Sequence, residues 1–154
     1  MYVDASAPDV GETNSSLSGD ESVLTTMKPT QLFDTLTYPG APSGAADLYL
    51  RKDIFVDYFG SDLPEDVATR LWASQRTAST VAFGTPSRHA AWKTIPSWYF
   101  ISSGDQIITA AAELRMARRA KSHVTVFKGG SHLTLISHPE AVTEVIEKAI
   151  GSLG

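Results

Sequence analysis

Two short apolar runs near the C-terminal end constrain the fold more than anything else in these 154 residues. Residues 96–101 read Pro-Ser-Trp-Tyr-Phe-Ile and give way to Ser-Ser-Gly-Asp; residues 123–127 read His-Val-Thr-Val-Phe and stop at Lys-Gly-Gly. The first, aromatic and β-branched, reads as a buried strand with its exit loop, and the second as another strand closed by its turn residues. Between them, residues 109–121 are Ala-, Arg- and Met-rich and strongly helix-forming. After the second run, residues 137–153 predict another helix. Ser137 is its expected N-cap, Pro139 and Glu140 lie in the first turn, and Val142, Val145, Ile146 and Ile150 form an apolar stripe. Strand, helix, strand, helix is the rhythm of an α/β domain with parallel strands.

The preceding residues are less regular. Residues 2–7 read as the last part of a β-strand ended by Pro8 and Asp9, an unusual start because the first residues of a domain are generally loose. Gly-, Ser- and Asn-rich stretches at 11–19 and 38–44 read as loops. Helical spacing recurs between the breaks. Residues 28–37 carry Leu32, Phe33 and Leu36 behind Pro29, and residues 53–59 carry Ile54, Phe55, Tyr58 and Phe59 on one face. Residues 61–74 predict a helix capped by Ser61 or Asp62, with Pro64 near its first turn and Val67, Leu71 and Trp72 on its buried face. Residues 77–83 are expected to extend that helical region.

Composition removes several classes of function. A net charge of −4 argues against nucleic acid as a partner, and the basic run at 117–121 reads as the solvated end of a helix. The absence of cysteine excludes disulfides, thiolate catalysis and cysteine-based metal sites, and fits a reducing compartment. No basic-then-apolar signal segment opens the sequence, and no apolar run approaches the ~20 residues that span a bilayer, so a soluble cytoplasmic protein is expected. Neither a Gly-x-Gly-x-x-Gly fingerprint nor a P-loop is present, and the His and acidic residues are too scattered to suggest a metal site; no cofactor is expected.

The chemistry concentrates at the two exit loops. Asp105 lies just past the end of the first run, and His132 just past the end of the second. In open parallel sheets, ligands and catalytic groups gather beyond the carboxyl ends of the strands. Neighbouring strands lie roughly 4.8 Å apart, so the two side chains can meet. An Asp there can accept from an imidazole N–H and stabilise the imidazolium, leaving the other ring nitrogen as a general base. Each residue also has a plain structural reading: Asp after Gly104 as a turn former, and His as an ordinary loop residue. Their order on consecutive strand ends raises both. His89, His123 and His138 read as surface, strand-start and helix-start residues. Phe55, Phe59, Trp72 and Trp92 read either as packing between helices or as the lining of an acyl or aryl pocket.

Three stretches, YVDASAPDVGE, PSWYFISSGDQII and GGSHLTLISHPEAVTEVI, resemble the C-terminal half of the α/β-hydrolase fold, in its bacterial esterase-like, capped serine-hydrolase branch. The resemblance implies a partial α/β-hydrolase fold: the last three parallel strands with flanking helices, plus a helical cap. Residues 1–10 would end a core strand, 11–92 would form the cap, and 93–154 the strand–helix–strand–helix part of the core. In this family the triad runs Ser, Asp or Glu, His in chain order. The resemblance places Asp105 at the acid and His132 at the base, and implies a small ester or acyl compound as substrate. No Gly-x-Ser-x-Gly or HGGG-type segment occurs, and Ser6, Ser102, Ser103 and Ser131 lie in other contexts. The nucleophile is therefore expected from sequence upstream of Met1, and the chain alone is expected to be inactive. Two alternatives stand beside this: a non-enzymatic truncated fragment acting in binding or assembly, and a misplaced gene start. The strand that the family pairs with residues 2–7 would be missing, leaving an open edge for a second copy or an N-terminal half.

Overall fold

The computed structural model describes residues 1–152. The elements in chain order are β1 (Tyr2–Val3), α1 (Val23–Thr26), α2 (Pro29–Leu32), β2 (Phe33–Leu36), β3 (Asp47–Leu50) and α3 (Lys52–Ile54). α3 runs on into a π-helical turn, Phe55–Phe59. There follow α4 (Glu65–Ala73), β4 (Ala78–Ser79), α5 (Thr80–Gly84), β5 (Trp98–Ser102), α6 (Ala110–Arg119), β6 (His123–Phe127), α7 (Thr134–Ser137) and α8 (Pro139–Gly151). Two three-stranded sheets result, one parallel in the order β1-β5-β6 and one antiparallel in the order β2-β3-β4.

The parallel sheet follows from the two apolar runs. β5 is central, pairing Tyr2 with Tyr99 on one side and Trp98 through Ser102 with His123 through Phe127 on the other. Its side chains alternate between two helical layers, as strand geometry requires. Tyr99 and Ile101 pack with Ala112, Met116 and Ala117 of α6, whereas Phe100 packs with Val142 and Val145 of α8. With both faces covered, Tyr99, Phe100, Ile101 and Ser102 are all buried. β6 is an edge strand and leaves Val124 and Val126 largely exposed. Among the described residues no helix is long and apolar enough to cross a membrane.

Several local expectations are corrected. β1 ends at Val3 rather than running to Ala7, because Asp4 turns to a positive φ of 42° and its carboxylate accepts from Ser102 N and Oγ. The helix expected over 28–37 lasts only four residues. From Phe33 the chain is extended and pairs with β3, where Phe and Thr suit a pleated surface. Residues 77–83 do not prolong α4: a short strand pairs with β3, and then Ser79 caps α5. Neither Ser61 nor Asp62 caps α4; Pro64 takes that position, and Asp62 bonds elsewhere. Ser137 closes α7 instead of opening the last helix, which starts at Pro139 with His138 before it. The expected end of that helix at Leu153 lies outside the described residues.

The middle of the chain packs around its own small core of Leu32, Leu50, Ile54 and Phe55. Phe59, Trp72 and Leu133 flank it, so this core touches the loop that carries His132. Asp62 reinforces the junction by accepting from Ser131 Oγ and Ser137 Oγ, both at 2.5 Å. Burial works against its carboxylate, yet these hydrogen bonds hold its pKa below the usual value.

Candidate active site

The site forms where the exit loops of β5 and β6 touch. A Cβ on Gly104 would lie 2.5 Å from the carbonyl oxygen of Gly130, so only glycine permits this approach of the two backbones. Gly129 and Gly130 adopt φ of 84° and 72°, the left-handed turn that brings the chain back over the strand ends.

This contact brings the two candidate residues together. Asp105 Oδ2 lies 2.7 Å from His132 Nδ1. Oδ1 of the same carboxylate accepts from Ile107 N at 2.7 Å and Ile108 N at 3.1 Å, which fixes its plane. The Asp105 side chain is fully buried and that of His132 is 18% exposed, so the pair is shielded from competing water without being sealed. Nδ1 faces a carboxylate and is the protonated nitrogen of the neutral ring, leaving Nε2 as acceptor. Among the described residues, Nε2 has no hydrogen-bond partner.

His132 borders a cavity of about 550 Å³ between the parallel sheet and the middle segment. Its wall is mainly apolar and includes Leu24, Phe33, Leu50 and Ile108. Two of the four aromatic residues singled out from the sequence line it. The Phe59 ring meets the imidazole edge-on at 4.7 Å, and Phe55 stacks on Phe59 at 5.0 Å. Trp72 and Trp92 do not. An indole N–H that leaves water needs an acceptor, and these two find theirs in backbone carbonyls, Leu50 O for Trp72 and Pro8 O for Trp92. Trp92 also carries the Arg119 guanidinium over its ring at 5.4 Å. Of the other histidines, His123 stacks on Trp98, and His138 packs near Phe127 within 3.7 Å of Asp62. His89 is exposed.

Three buried groups behind the pair were not singled out from the sequence. Asp4 accepts from Ser102 N at 2.7 Å and Ser102 Oγ at 2.9 Å. Burial pushes its carboxyl up to about 6 against the pull of those hydrogen bonds, and the neighbouring Asp105 charge adds to the rise. Ser102 itself is fully buried. Glu113, on the first turn of α6, is fully buried and neither of its carboxyl oxygens has a hydrogen-bond partner. One signal was available for Asp4, an acid inside an apolar strand end; Glu113 falls on the buried face of a charged, Arg-rich helix and offers none.

Comparison with known proteins identifies the family and the fold. The model of the alpha/beta hydrolase family matches residues 2–145. A curated relative, alpha/beta hydrolase nvfD of Aspergillus novofumigatus (strain IBT 16806), is 34% identical over 68 residues, 44% of this chain and 27% of that protein. Among solved structures, a pyrethroid hydrolase from Sphingobium faniae JZ-2 superposes with a TM-score of 0.62 at 22% identity, covering 96% of this chain and 58% of that one. Polyneuridine aldehyde esterase superposes with a TM-score of 0.63 at 13% identity, covering 76% and 48%. The chain thus spans about a quarter of the curated relative and about half of each solved chain. With the family model matched along nearly its whole length and the parallel sheet flanked by helices as that fold requires, this chain belongs to the alpha/beta hydrolase family.

Proposed function

We propose that the chain supplies the acid and the base of a serine-type carboxylic ester hydrolase, with Asp105 and His132 as two members of a Ser-Asp-His triad. The 2.7 Å contact between Asp105 Oδ2 and His132 Nδ1, with Nε2 left free beside an apolar cavity, carries this reading. In the reaction Nε2 takes the proton of a serine hydroxyl as its oxygen adds to the ester carbonyl. It then returns that proton to the departing alkoxide, and the same cycle with water frees the acyl group. Asp105 stays ionised throughout, holding the tautomer and stabilising the imidazolium. Phe55 and Phe59 are the surface for the apolar part of the substrate. The names of two structural neighbours, an esterase and a pyrethroid hydrolase, fit this chemistry.

On this reading the serine and the oxyanion donors come from residues outside this sequence, which contains no Gly-x-Ser-x-Gly. Ser102 and Ser131 are fully buried and bonded to Asp4 and Asp62, so neither is available to attack a carbonyl. The chain alone is therefore expected to hydrolyse p-nitrophenyl acetate at background rate, unchanged by His132→Ala. A clear loss in that variant would mean that a nucleophile is already present, and would sink the proposal as framed.

A second reading rests on β1, which pairs with β5 on one side only. Its other edge presents unsatisfied backbone donors and acceptors to a further strand. Association through this edge, with a second copy or with a nucleophile-bearing half, is expected to appear in light scattering as a species larger than 16.6 kDa. A monodisperse monomer that resists proteolysis would count against it.

A further inference from the structure

The α6 helix turns a carboxyl group into the core, close to the Asp105 carboxylate. Glu113 is fully buried. One carboxylate oxygen from each of Asp4, Asp105 and Glu113 lies within 4.8 Å of the others. The two aspartates are well supplied with donors: Asp4 by Ser102 N and Oγ, Asp105 by Ile107 N, Ile108 N and His132. Glu113 has none.

A buried carboxylate without a donor, facing two other carboxylates, is among the least favourable arrangements a protein interior can hold. No lysine or arginine offsets it in this cluster. The titratable groups facing it are Asp4 from the loop after β1, Tyr99 from β5 and Asp105 from the loop after β5, with His132 beyond Asp105. Tyr99 cannot serve as its donor, because the phenol already donates to Ala5 O. One change relieves the cluster: a proton on Glu113, which removes its charge and supplies an O–H beside two carboxylates that can accept it.

We propose that Glu113 is a neutral carboxylic acid that donates into the Asp4–Asp105 carboxylate pair, and so acts as a positioning residue behind the base. The role in catalysis rests on the reading of Asp105 and His132 given above; the protonation of Glu113 does not. Burial, followed by the charges of Asp4 and Asp105, pushes its pKa up to about 10, in the same direction as the geometry. Three carboxyl groups then carry two negative charges in place of three, and Asp105 remains ionised and fixed against Nδ1.

Infrared spectroscopy at neutral pH reads the proton directly. The expected spectrum contains the carbonyl stretch of a protonated carboxylic acid, lowered by deuteration, lost in Glu113→Gln and kept in the exposed-residue control Glu65→Gln. Proton NMR of the same proteins reads the positioning role through the low-field Nδ1–H resonance of His132. Glu113→Gln, which keeps a donor, is expected to leave that resonance in place, whereas Glu113→Met is expected to shift or abolish it. Absence of the acid band in the native protein would overturn the proposal, and this holds even if the Met variant fails to fold. Equal disturbance of the resonance by Gln and Met would overturn the positioning role. Broadening of signals around Glu113 by added Mn²⁺, abolished in Glu113→Gln, would overturn it in favour of a cation site. An acid band without any low-field resonance in the native protein would leave Glu113 neutral and remove the dyad reading instead.

Discussion

Co-expressed with the N-terminal half of a capped family member that carries Gly-x-Ser-x-Gly, this chain is expected to gain p-nitrophenyl ester hydrolysis, and His132→Ala is expected to remove about 10⁴- to 10⁶-fold of it. The magnitude follows from what Nε2 does. Without the base the serine hydroxyl stays protonated and the covalent route closes, leaving only whatever binding and oxyanion donors contribute. Asp105→Ala should cost about 10⁴-fold, because the imidazole loses both its orientation and the charge that supports its protonated form. Phe59→Ala should act differently. Phe59 lines the cavity and touches the imidazole edge, so its loss should raise KM for apolar esters as well as lower kcat. A complex whose activity survives His132→Ala would place the base elsewhere.

Glu113→Gln is expected to stabilise the protein, by an amount that grows with pH. The ordinary glutamate value of 4.5 applies to the unfolded chain, and burial pushes the folded value up to about 10. Between those values the native state holds one more proton than the unfolded state, so native stability falls as pH rises. At pH 7 the cost to the native protein is on the order of 3 kcal/mol. Glutamine has no proton to keep, so the variant escapes that cost. Urea denaturation should show the variant clearly more stable at pH 7 and more so at pH 9, with the difference vanishing near pH 4, below the unfolded value. Asp4, raised from 3.8 to about 6, contributes in the same direction over a lower and narrower window. Parallel stability curves for native and variant would mean that Glu113 is not held neutral.

What could be read in advance depended on how much of the information is local. β5 and β6 are short runs of strand-forming residues, the first buried and the second largely exposed, each with its own turn residues, and their positions follow from residue types alone; β6 matches residue for residue. The pairing of Asp105 with His132 follows from the same strands, because parallel neighbours deliver consecutive exit loops to one place. The middle segment was less legible. Residues 28–37 satisfy a helical spacing, and the extended course from Phe33 is imposed by pairing with β3, which lies outside that stretch. Asp62 has the composition of a helix cap but finds better donors in Ser131 and Ser137, some seventy residues on. Trp72 and Trp92 have the size for a pocket wall, and their N–H groups send them to carbonyls instead. Glu113 was invisible because nothing in its own helix distinguishes a buried acid from a solvated one.

The central claim is that Asp105 and His132 form one hydrogen-bonded acid–base pair, and low-field proton NMR of the imidazole tests it most directly. The account expects a slowly exchanging Nδ1–H resonance far downfield of ordinary imidazole protons, present at neutral pH and lost in both His132→Ala and Asp105→Ala. Its absence in a folded native protein, or its survival in Asp105→Ala, would contradict the pairing and with it the proposed function.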